Sequence, residues 1–188
     1  FQEGNVLTRL IIINIVVWLA VKIWLLILFL FSFNTEGFLL GSFIQWLAVP
    51  ANLSVLVFRP WTLITYMFLH EDFFHILFNM LWLYWFGKIF LEYLNGKKLL
   101  STYVLGGISG AFLYILSFNI FPVFSEIQPF SFALGASASV LAIVIAISTY
   151  VPNYTIYLMF LGPVKIKYIA IFSVLLDLLS IQSSNPGG

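Results

Sequence analysis

Apolar residues along this chain come in blocks of membrane-spanning length, separated by short polar or broken stretches. The blocks lie at residues 10–31, 73–93, 99–121, 137–150 and 166–181. A helix that crosses the hydrocarbon core needs roughly 20 apolar residues. The pattern therefore predicts an all-α, polytopic membrane helix bundle with five transmembrane helices. Residues 32–61 behave differently. They are strongly apolar but carry Gly37, Gly41, Pro50 and Pro60, so they are too broken for a span and too apolar for a solvated loop. A membrane-embedded first loop fits them, because irregular backbone survives at membrane depth only where protein or a cavity covers it.

Composition sharpens this picture. Of 188 residues, 62% are hydrophobic and 8% charged, with a mean hydropathy of +1.08. Soluble domains are nearer a quarter charged, because a folded surface must be wetted. A soluble enzyme and a disordered chain are excluded, and the lipid bilayer is the expected partner. The net charge of +1 provides no field for a phosphate backbone, so no nucleic acid is expected. Cysteine is absent, which removes disulfides, thiolate nucleophiles and Cys-based metal sites. The chain reads as one domain, residues 1–188, without a cleavable signal peptide. Its start at Phe1 and its Asn185-Pro186-Gly187-Gly188 ending read as those of a fragment.

The eight basic residues orient the spans. With a cytoplasmic N-terminus, Arg9, Lys88, Lys97, Lys98, Lys165 and Lys167 fall inside and only Arg59 outside, with Lys22 within the first span. Lys and Arg concentrate in cytoplasmic loops. Residues 73–93 and 137–150 then both run inward from the outer face.

Two segments carry candidate chemistry. In His70-Glu71-Asp72-Phe73-Phe74-His75-Ile76-Leu77-Phe78-Asn79, His75 and Asn79 stand four apart and share one helical face. Two polar groups on a membrane helix are costly unless they face the bundle interior. Either a packing pair or a functional site satisfies that condition. In Leu134-Gly135-Ala136-Ser137-Ala138-Ser139, a serine opens a helix where free amides can hold an oxyanion. Ala138, Ala142 and Ala146 also make a small face suited to close helix packing. Depth links the two segments, since Ser137, His75 and Asn79 all lie a few residues below the outer surface. A serine, an imidazole and an amide donor at one depth point to acyl transfer.

These residues resemble the rhomboid intramembrane serine proteases of bacterial type. His70, His75 and Asn79 match the family's His-x-x-x-x-His-x-x-x-Asn pattern on span two, and Gly135-Ala136-Ser137-Ala138 its Gly-x-Ser-x motif opening span four. The similarity runs from about Phe58 to the chain's end. It implies a six-span fold of which five spans are present, with Ser137 as the nucleophile. His75, Asn79 and the Ser137 amide would form the oxyanion hole, with His70 and Gly135 in support. It implies transmembrane protein substrates cut in or beside their membrane segments, no cofactor and no metal. The bacterial inner membrane is the expected location.

The chain departs from the family pattern in three places. Ala138 replaces a second glycine, and Leu141 replaces a tyrosine that some members stack on the catalytic base. The family's base is a histidine on a sixth span, which these 188 residues do not contain. The sequence as it stands is therefore expected not to hydrolyse peptides. The sixth span is also the expected neighbour of the Ala138, Ala142 and Ala146 face, whereas Gly106-Gly107-x-x-Gly110 on span three fits close helix packing without chemistry. A zinc protease is the rival enzyme, but His70 and His75 are five apart, about 140° around a helix, and Asp177 stands alone. A rhomboid-like pseudoprotease that binds transmembrane clients without cleavage is the alternative function.

Overall fold

None of the prolines falls inside a long apolar run, and each run becomes a helix. A computed structural model describes residues 4–31, 38–158 and 162–180. The helices are α1 (Gly4–Phe31), α2 (Phe38–Leu47), α3 (Leu53–Phe58), α4 (Thr62–Thr65), α5 (Phe73–Tyr93), α6 (Gly96–Ile120), α7 (Ser137–Tyr150) and α8 (Ile166–Ser180). Two short antiparallel pairs accompany them, β1 (Val49–Pro50) with β2 (Phe132–Ala133) and β3 (Thr155–Leu158) with β4 (Gly162–Lys165). The all-α membrane bundle is as the sequence pattern predicts.

Among the described residues, three helices are long and apolar enough to cross a bilayer: Val6–Phe31 within α1, Phe73–Tyr93 and Gly96–Ile120. The two remaining apolar runs also form helices, α7 and α8, which are shorter among the described residues. At ~1.5 Å per residue the 14 residues of α7 extend about 21 Å, less than the ~30 Å of a hydrocarbon core. Extended backbone at β2 and the Gly135 turn precede it. The described part of α8 has 15 residues, and residue 181 lies outside the described residues.

A side-chain cap sets the start of α6. Asn95 starts α6 by accepting from the Lys98 N–H at 3.0 Å, and Phe121 followed by Pro122 ends it. Lipid-facing sides are openly apolar: Phe29, Leu30, Phe74, Leu105, Phe112 and Leu113 are all exposed, a surface that only a membrane tolerates.

The central helix is α7, packed mainly on α6 and also on α5 and α8. A methyl group added at Gly106 would overlap the Ala142 Cβ, and one at Gly110 the Ala138 Cβ. At Ala138 and Ala142 the small face of α7 is therefore filled by the glycines of α6, which corrects the expectation that a sixth span covers these two positions. Small residues on both sides let the two backbones approach and gain dispersion contacts.

A buried polar network ties the remaining elements together. Asn14 of α1, fully buried, donates to the Leu10 carbonyl at 2.8 Å and to the Tyr103 hydroxyl at 3.1 Å. Tyr103 of α6 donates to the Met67 carbonyl at 3.1 Å. Met67 lies in the short 3-10 turn Tyr66–Phe68, next to the residue that holds the site's glycine.

Residues 32–37, within the loop read as membrane-embedded, lie outside the described residues. The rest of that loop contributes β1, which pairs Val49 with Ala133 and Pro50 with Phe132. Asn119 and Gln128 also donate to the Ala51 carbonyl, at 2.9 and 3.2 Å. The strand leading into α7 is thus fixed by the first loop.

Candidate active site

The α5 side of the site begins with a helix cap. Asp72 has extended backbone, and its carboxylate accepts from the His75 N–H at 2.8 Å. That bond holds its carboxyl below the usual carboxylate range. Lys22 of α1 donates to the Glu71 carbonyl at 2.6 Å, so the lysine inside the first span is spent on the segment that opens α5. His75 and Asn79 follow one turn apart and are both half-buried. Asn79 Nδ2 donates to the His75 carbonyl at 2.9 Å, using one of its two N–H groups and leaving a second donor.

His70 sits behind His75. It is buried, with its ring edge-on to the His75 ring at a centroid distance of 5.1 Å. Neither ring nitrogen makes a hydrogen bond. Burial, with the neighbouring His75 adding to it, pushes its pKa down to about 4. The Phe68 carbonyl, near the ring but outside hydrogen-bond geometry, opposes the shift. At neutral pH His70 is an uncharged aromatic wall for His75.

The α7 side arrives as strand, turn and helix. Gly135 donates its N–H to the Tyr66 carbonyl at 2.9 Å and has φ of +134°, a region that L side chains rarely adopt. A Cβ here would lie 2.9 Å from His75 Nε2, 3.0 Å from His75 Cε1 and 3.8 Å from Ser137 Oγ. Only a glycine lets the imidazole edge reach this turn. Ala136 precedes the helix without a side-chain cap, so the first N–H groups of α7 keep their donors for another acceptor. Ser137 is half-buried, whereas Ser139 is fully buried without a hydroxyl partner and faces Gly107 in the α6 interface. Of the two serines, Ser137 is the one on the His75 side.

Ser137 borders two cavities. One, of about 260 Å³, is lined by His75, Asn79 and Ser137 together with Phe78, Trp82 and residues of α8 that include Asp177. The other, of about 500 Å³, lies between α6 and the strand before α7, and Tyr66, Gly110, Tyr114 and Ala138 contribute to its wall. The structure thus gathers Ser137, His75 and Asn79 around one space, with Gly135 packed against His75 and His70 behind it. This arrangement could present a hydroxyl to a carbonyl carbon and N–H donors to its oxygen.

Sequence reasoning missed two participants. Asp177, read as standing alone, lines the same cavity as Ser137. It is the one acidic residue of the last apolar run, and that was its available signal. Tyr66 holds the turn through its backbone carbonyl, for which no sequence signal exists. Among the described residues, no group of three His, Cys, Asp or Glu side chains could hold a metal ion.

Comparison with known proteins places the chain in a family. Residues 57–186 match the family described as Rhomboid domain. A curated relative from Arabidopsis thaliana, RHOMBOID-like protein 12, mitochondrial, is 33% identical over 135 residues, which cover 68% of this chain and 40% of the relative. The chain therefore spans less than half of that relative's length. The relative is mitochondrial by name, which lends no support to the bacterial inner membrane expected from the sequence.

Proposed function

Because the chain belongs to the rhomboid domain family, we propose that it is the core of an intramembrane serine endopeptidase that cuts transmembrane proteins in or near their membrane segments. The observation that carries this reading is the convergence of Ser137, His75 and Asn79 on one cavity, with the Gly135 turn packed against the His75 ring.

In the proposed reaction Ser137 Oγ attacks the carbonyl carbon of the scissile bond. The Ser137 N–H, the His75 ring N–H and the second Asn79 N–H receive the charge that develops on the carbonyl oxygen. A general base takes the hydroxyl proton and returns it to the leaving amine, after which water releases the acyl group. The resemblance places that base, a histidine, on a sixth span. His70 and His75, the two histidines of these 188 residues, both belong to the oxyanion side.

The site faces the outer side of the membrane in this reading. Arg9, Lys88, Lys97, Lys98, Lys165 and Lys167 lie toward one end of the bundle, near the starts of α1, α6 and α8 and the end of α5, opposite to Ser137. We also read residues 32–61 as embedded in the membrane and the whole chain as one domain. The test is cleavage of a reporter transmembrane substrate by the full-length protein. Ser137→Ala should abolish it and Ser139→Ala should retain it.

A further inference from the structure

The proposed reaction draws on α5 and α7. Helix α1 precedes the residues that match the family and lines neither cavity that borders Ser137. Three of its residues nevertheless meet the segment that joins the Tyr66–Phe68 turn to α5. Asn14, Trp18 and Lys22 stand at intervals of four, which makes them one row along the helix. Asn14 acts through the Tyr103 hydroxyl, which donates to the Met67 carbonyl at 3.1 Å. The Trp18 ring lies 6.3 Å from the ring of Phe73, the first residue of α5. Lys22 Nζ donates to the Glu71 carbonyl at 2.6 Å.

The segment held in this way supports both halves of the site. At one end the Tyr66 carbonyl accepts from the Gly135 N–H and fixes the turn before Ser137. At the other, the His70 ring backs His75, and the Asp72 carboxylate caps α5 at the His75 N–H. Residues 69–72 belong to no helix or strand, so at membrane depth their course depends on what meets their polar groups. Packing alone accounts for Leu7 of α1, which lies against Gly87 further along α5. It does not account for a fully buried amide and an ammonium within a membrane helix, which are costly unless they find partners.

We infer that Asn14, through Tyr103, and Lys22 are positioning residues, which set His75 against Ser137 by fixing the segment between them from α1. This inference rests on the endopeptidase reading and extends the working part of the protein to a helix outside the site.

Four variants of the full-length protein test it. Tyr103→Phe removes only the bridging hydroxyl, Lys22→Met removes the ammonium, and Lys22→Arg returns a donor. Leu7→Ala is the control, because it loosens α1 at Gly87 and leaves the row intact. Each is measured for kcat and KM on a reporter transmembrane substrate, below its melting temperature, and for amide hydrogen exchange over residues 66–72 and 133–137. Tyr103→Phe and Lys22→Met should each lower kcat about ten-fold, the size of one hydrogen bond, with KM unchanged. Both should speed exchange in the two segments, and Lys22→Arg should recover most of the rate. Leu7→Ala should melt earlier with kcat and exchange in these segments unchanged. An unchanged kcat in Lys22→Met overturns the inference, even where Tyr103→Phe fails to fold. So does an equal loss of rate in Leu7→Ala, since α1 would then act through stability alone. Either result, with cleavage by the unaltered protein, leaves the protease standing. Faster exchange in both segments of a protein that never cleaves removes the endopeptidase reading and leaves the clamp.

Discussion

Gly135 and His75 share a space that admits no further atom, since a Cβ at position 135 would sit 2.9 Å from the His75 Nε2. The turn that delivers Ser137 and the helix that delivers the oxyanion donors are therefore registered against each other through one missing methyl group. Gly135→Ala would bring both this clash and an L residue at φ of +134°, a strain of about 1–3 kcal/mol. Activity should fall by far more than stability, because His75 must swing away. A melt that drops slightly while cleavage is lost agrees with this, whereas normal turnover would show that the contact does not matter.

The glycines of α6 make a separate prediction. Gly106→Val and Gly110→Val should each force α6 away from α7 at Ala142 or Ala138, costing about 1–3 kcal/mol of stability as overpacking typically does. The loss is read by thermal melting in detergent. Unchanged melting temperatures would mean that the small face of α7 is open to another helix, as the sequence had suggested.

His70 gives the protein a pH dependence whose sign follows from burial. Its folded pKa of about 4 lies below the ordinary 6.5, so between these values the unfolded chain binds more protons than the folded one. The stability contributed by neutral His70 is complete above about pH 6.5 and is lost as pH falls toward 4. Melting temperature should drop over that window, and His70→Phe should flatten the drop. An equally steep drop in His70→Phe assigns the effect to another group.

The oxyanion role of His75 and Asn79 is tested by rate against binding. His75→Ala and Asn79→Ala should each lower kcat by about 10²–10³, with little change in KM, since the donors act on charge that appears in the transition state. Losses that track unfolding in detergent would return both residues to a packing role.

The long helices were legible from apolar run length and proline position, whereas the short helices α2 (Phe38–Leu47) and α3 (Leu53–Phe58), inside the stretch read as a loop, were not. The blocks at residues 73–93 and 137–150 coincide with α5 (Phe73–Tyr93) and α7 (Ser137–Tyr150). The pairing of the α6 glycines with Ala138 and Ala142 was not legible, because a small face declares a close neighbour without saying which helix supplies it. The β1–β2 pair was hidden for a related reason. Two-residue strands have no periodicity to detect, and their partners are more than 80 residues apart. The site residues were legible as a spaced pattern, but the exclusion of Ser139 needed the structure, which buries it against Gly107.

The most direct measurement of the central claim is labelling of the full-length protein in membranes with a serine-reactive fluorophosphonate, followed by identification of the labelled residue. An activated hydroxyl reacts and an ordinary one does not. The account predicts adduct formation at Ser137, its loss in Ser137→Ala and its persistence in Ser139→Ala. No adduct at Ser137, or an adduct that survives Ser137→Ala, would contradict it.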